Sequence, residues 1–124
     1  MRWRAAILAL LTLNAGCYQS QPAVKADDRI CLTPGPLSGD AWRGCIHKWA
    51  YRMAGAPDAA NIVARGVVGA CMEPIKTEID NIANTSKIYG EAYRELGDRE
   101  FKLAANDAVF RVVQARAGHC PVPE

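Results

Sequence analysis

The stretch from Asp40 to Glu73 limits the fold more than any other part of this chain, because it holds two helical stripes in tandem with a cysteine on each. Trp42, Cys45, Ile46, Trp49 and Met53 recur at intervals of three and four, the spacing that lines residues along one side of a helix. Arg43, His47, Lys48 and Arg52 fall on the other side, which predicts a solvated His47. After Gly55-Ala56-Pro57, the set Ala59, Ile62, Val63, Gly66, Val67, Ala70 and Cys71 repeats the spacing. Helices joined by so short a loop run antiparallel, so the two stripes face each other. Gly66 lies on the second stripe, where its missing side chain lets the tryptophan-bearing helix approach.

The remaining chain reads as two further helices. Ser38 or Asp40 caps the first helix and Gly55 ends it, while Pro57 and Asp58 suit the start of the second. Pro74 disfavours helical geometry before it, so the second helix is expected to stop at Met72 or Glu73 and a third to open there. Its stripe is Ile75, Ile79, Ile82, Tyr89, Tyr93 and Leu96, with a kink expected near Asn84. Gly97-Asp98 reads as a stop followed by an N-cap. Phe101, Ala104, Ala105, Ala108, Val109, Val112 and Val113 then form a fourth stripe, with Asp107 and Arg111 paired at i, i+4 and Gly118 as terminator. The expected fold is all-α: a small bundle of about four helices that begins with a helical hairpin.

The first residues look like an address. Arg2 and Arg4 are basic, Ala5 to Leu13 are apolar, and Ala15 and Gly16 are small, the layout of a bacterial secretory signal too short to span a bilayer. Leu13-Asn14-Ala15-Gly16-Cys17 resembles the lipobox of bacterial lipoproteins, in which cleavage leaves an acylated cysteine. The resemblance covers residues 1–17 and implies lipid attachment at Cys17, with Tyr18 after it implying the periplasmic side of the outer membrane. The other reading is cleavage after Ala15 or Ala26, which yields a soluble periplasmic protein. The chain divides accordingly into a signal at 1–16, a tether and irregular arm at 17–36, and a helical domain at 37–124.

With Cys17 acylated or discarded, four of the five cysteines remain, an even number that reads as two disulfides in an oxidising compartment. Three pairings exist. Cys45 and Cys71 sit on the facing stripes, and Cys31 and Cys120 lie outside the helices at opposite ends, which favours Cys45–Cys71 with Cys31–Cys120. Loop entropy assigns about 3.5 and about 4.6 kcal/mol to these two bridges. Cys45 lies about ten residues before the hairpin loop and Cys71 about fifteen after it, so direct opposition needs a tilt or an uneven loop.

Charge and motifs narrow the function. Of fifteen basic residues, Arg2 and Arg4 leave with the signal, so thirteen face thirteen acidic ones and nucleic acid is not an expected partner. His47 and His119 are the two natural general bases. His119 suits the carbonyl end of the last helix. His-x-x-x-His, Glu-x-x-His, Cys-x-x-Cys-His and Gly-x-Ser-x-Gly are absent from the sequence, and Glu91 with Glu95 has Arg94 and Arg99 in reach. The expectation is therefore no catalytic site, no metal site and no cofactor. Trp42, Trp49, Tyr51 and Arg52 form a candidate protein-binding face if part of the first helix is uncovered. The chain reads as a non-catalytic binding or structural module of the bacterial envelope, tied to the membrane by its lipid and with an envelope protein as partner. The alternative is a periplasmic carrier holding haem, with Met53 or Met72 and His119 as ligands, or a small apolar molecule between helices.

Overall fold

The computed structural model describes residues 24–27, 29–31 and 41–123. Four helices follow in order: α1 Ala41–Met53, α2 Ala60–Ala70, α3 Met72–Ser86 and α4 Glu91–Gly118. The all-α fold is as expected; the signal at 1–16, Cys17, and the capping residues Ser38 and Asp40 lie outside the described residues. Helix α4 is the spine. It packs against each of the other three, most extensively against α1 and α2, and its buried Ala104, Ala108, Val112 and Ala115 leave room for them to come near. Ile46, Val67, Ile75 and Ile79 fill the space between.

Both expected disulfides are present. Cys45 joins Cys71 and Cys31 joins Cys120, with Cα atoms 5.8 and 5.3 Å apart. The offset between Cys45 and Cys71 is reduced at the hairpin loop, since α1 ends at Met53 and α2 begins only at Ala60. Cys71, fully buried, is also the single residue between α2 and α3, so that break falls slightly before the one Pro74 suggested. Gly66 does meet α1, but through Met53: an added Cβ would lie 3.0 Å from its Cε.

The boundary between α3 and α4 differs from expectation. The chain breaks at 87–90, and Gly97 and Asp98 lie inside α4. Lys87 is left-handed (φ 53°), with the Ile88 amide donating to Ala83 O, and Gly90 follows at φ 62°, ψ −126°, a conformation open almost only to glycine. Gly97 costs about 1 kcal/mol in a helix interior but does not by itself end one. Buried Leu96 beside it keeps the helix packed, and the Tyr93 hydroxyl donates to Asp80 Oδ1 at 2.6 Å, clasping α4 to α3.

At the far end, the left-handed terminator is His119 (φ 51°), and Gly118 is the last helical residue. Gly118 is needed for space. A Cβ there would stand 2.8 Å from Cys31 Sγ, 2.9 Å from Cys120 Sγ and 2.9 Å from Ile30 Cγ2, so the arm and its disulfide rest directly on the bare backbone. The Asp27 amide donates to Gly118 O at 2.9 Å, and the Asp27 carbonyl accepts from Ile30 and Cys31 to close the turn.

Candidate functional site

Helix α1 lies against α4 along a polar seam. The buried positions of α1 include Trp42, Ile46 and Ala50 but also His47 and Tyr51, one turn apart on a flank that the three-and-four stripe leaves out. Cys45, Trp49 and Met53, on the other flank, are half-buried. Covering on both flanks widens the buried face, and His47, expected in solvent, is 5 % exposed.

The seam is hydrogen-bonded from one end. The Tyr51 hydroxyl donates to Gln114 Oε1 at 3.0 Å, Arg111 Nη1 donates to the same oxygen at 3.1 Å, and Gln114 Nε2 donates to Ile30 O at 2.6 Å. One glutamine thus ties α1, α4 and the arm together. Arg111 Nε approaches Asp107 Oδ1 at 3.6 Å, the i, i+4 pair expected from the sequence, here largely buried. The His47 ring stands edge-on to Tyr51 at 4.2 Å, and its Nε2 is buried with no hydrogen-bond partner among the described residues, as is Asp107 Oδ2. Burial, reinforced by the Arg111 charge, holds the His47 pKa below the usual histidine value. Burial pushes the Tyr51 phenol up, with Arg111 opposing it. A neutral imidazole and a neutral phenol fit a packed interface, and their reactive atoms point into it.

Arg116 closes the lower end. Its guanidinium donates to the carbonyls of Ala54, Ala56 and Asp58 at 2.9, 2.8 and 2.7 Å, satisfying backbone acceptors where α1 ends and the loop to α2 begins. A shallow cavity of about 310 Å³ lies beside it, bordered by Tyr51, Gly55 and His119.

The candidate face of α1 does not form as one exposed patch. Trp42 and Tyr51 are buried, Trp49 is half-buried under the guanidinium of Arg52 at 5.3 Å, and Arg52 itself is exposed. Among the described residues, the large apolar side chains that solvent reaches include a set on α4: Leu103 at 44 %, Phe110 at 59 % and Val113 at 51 %. Exposed Asn106 and Ala117 complete a row at 103, 106, 110, 113 and 117. An open groove of about 340 Å³ runs beside this row, floored by Ala64 and Val68 of α2 and Ala105 and Val109 of α4. Sequence reasoning placed Val113 in the core stripe and overlooked Leu103 and Phe110. The signal was a second apolar row on the side of α4 away from Ala104, Ala108 and Val112.

Among the described residues there is no cluster of three or more metal-ligating side chains, and no helix is long and apolar enough to cross a membrane. Comparison with protein families, with curated proteins and with solved structures finds no match. The two disulfides fit a non-reducing compartment.

Proposed function

We propose that this protein is a small exported, lipid-anchored, non-catalytic module of the bacterial envelope, and that it works by binding another protein through the outer face of α4. The observation that carries this reading is the row Leu103, Phe110 and Val113, left open to solvent on a helix whose inner face is already filled. Bulky apolar groups grouped on one face mark interaction sites far more often than isolated ones do. Of the charged groups on α4 between Leu103 and Gly118, Asp107 pairs with Arg111 and Arg116 donates to three carbonyls, while exposed Arg65 of α2 borders the groove. The disulfide from Cys31 to Cys120 supports the same reading, since it ties the arm leading from the tether to the end of the helix that bears the row.

The test is site-specific photo-crosslinking in intact cells. A photoreactive residue at Phe110 or Val113 is expected to give a discrete adduct in the membrane fraction, and one at exposed Asn84 on α3 is not. Absence of adducts at both α4 positions overturns the binding role. Intact mass of the membrane-extracted protein tests the anchor: cleavage before Cys17 with added acyl mass is expected.

A further inference from the structure

We propose that the disulfide Cys31–Cys120 is an exchange site for an external dithiol, and that its reduction releases the arm before Cys31 from the end of α4. The two bridges differ in what surrounds each sulfur. Cys71 is fully buried between α2 and α3, whereas Cys31 and Cys120 are both half-buried, and Cys120 borders the open cavity of about 310 Å³ with Arg116 and His119. Access alone does not separate them, because Cys45 is half-buried too. The leaving group does. Attack on Cys45 would expel a Cys71 thiolate into the core it shares with Val67 and Ile75, where burial disfavours the anion and slows exchange. Attack on Cys120 expels Cys31, a residue that water partly reaches.

One thiolate of the dithiol bonds to Cys120 Sγ as the bond to Cys31 Sγ breaks, and Cys31 leaves as a thiolate that takes a proton. The second thiol of the dithiol then attacks its partner sulfur in the mixed disulfide, Cys120 leaves and is protonated, and the dithiol ends as a disulfide, oxidised by two electrons. The carbonyl end of α4 opposes an approaching anion. Two of its carbonyls are already taken, however, Gly118 O by the Asp27 amide and Ala115 O by the Cys120 amide. Arg116, in no ion pair with a described carboxylate, brings positive charge to the cavity. Without the bridge the arm keeps few holds: Asp27 donates to Gly118 O at 2.9 Å and Gln114 Nε2 donates to Ile30 O at 2.6 Å. No described residue of the arm is buried, so little apolar contact keeps it in place. Release moves the point where the chain joins the body from Cys31 to Ala41, ten residues on, and adds up to about 33 Å of reach. That gain in reach rests on the reading of an anchored protein, and the exchange itself does not.

The test is timed reduction of the membrane-extracted protein by dithiothreitol, quenched with iodoacetamide and mapped by peptide mass. Cys31 and Cys120 should gain label together, at least about tenfold faster than Cys45 and Cys71. Amide hydrogen exchange at that stage should show the Asp27, Ile30 and Cys31 amides unprotected and the four helices unchanged. The double variant Cys31→Ser, Cys120→Ser should give the same amide pattern with no reductant, which reads release apart from the thiol chemistry. Bridges that open in step, Cys45–Cys71 opening first, or arm amides still protected once Cys31–Cys120 is open overturns the proposal. If the bridge exchanges and the arm releases but intact mass shows no acyl group, the anchored reading fails and the exchange site stands.

Discussion

The two faces of α4 reverse the usual order of size. Inward, the helix buries Ala104, Ala108, Val112 and Ala115; outward, it carries Leu103, Phe110 and Val113. Small residues inside allow α1 and α2 to lie close, and the larger buried side chains come from those neighbours, such as Ile46 and Val67. The contrast separates two demands on one helix. Its inner face is shaped by packing, whereas its outer face carries apolar bulk that packing within the protomer leaves unused.

The largest effect should come from breaking the inner face. Ala108 is fully buried where α4 meets its neighbours, so Ala108→Leu adds three carbons to filled space. Such overpacking costs about 1–3 kcal/mol. Urea unfolding should show the midpoint falling accordingly; an unchanged midpoint would mean that the small residues are not needed for close approach.

Helix number, the disulfide pairing and the Asp107–Arg111 pair could be read from the chain because each depends on local spacing or on which two cysteines the facing stripes hold and which two they leave outside. The break at 87–90 could not, since Gly97-Asp98 looks like the stronger stop and only the backbone at Gly90, with φ 62°, shows which glycine the turn requires. His47 was hidden for another reason. It stands between Arg43 and Lys48 on α1, and its burial follows from where α4 docks, a tertiary choice that periodicity does not record. Phe110 belongs to a second apolar row on α4, opposite the buried Ala104, Ala108 and Val112, and apolar spacing alone does not tell which of two rows the neighbouring helices cover.

Where the inner face meets the polar seam, acid should loosen it by a smaller amount. The His47 pKa is lowered in the fold, by burial and then by Arg111, so below its ordinary value of about 6.5 the unfolded chain binds more protons than the folded one. Stability from this group is present above about pH 6.5 and is lost as pH falls toward the lowered folded value. The slope cannot exceed about 1.4 kcal/mol per pH unit for one proton. Thermal melts between about pH 7.5 and 5.5 should fall for the natural chain and flatten in His47→Gln. Parallel curves for the two proteins would assign the acid sensitivity elsewhere.

The outer face should give the smallest effect on stability, and that smallness sharpens the contrast. Phe110→Ala removes a ring more than half open to water, touched by the Arg111 guanidinium at 5.6 Å, so its loss leaves no sealed cavity. Exposed substitutions of this kind usually lie within about 0.5 kcal/mol of neutral. Removal of a buried Phe would instead cost about 3–5 kcal/mol. Urea unfolding of dilute protein should therefore give the same midpoint for Phe110→Ala and the natural chain. A loss above about 1 kcal/mol under those conditions would show that Phe110 supports its own protomer, and the distinction between a face built for folding and a face left over for binding would collapse.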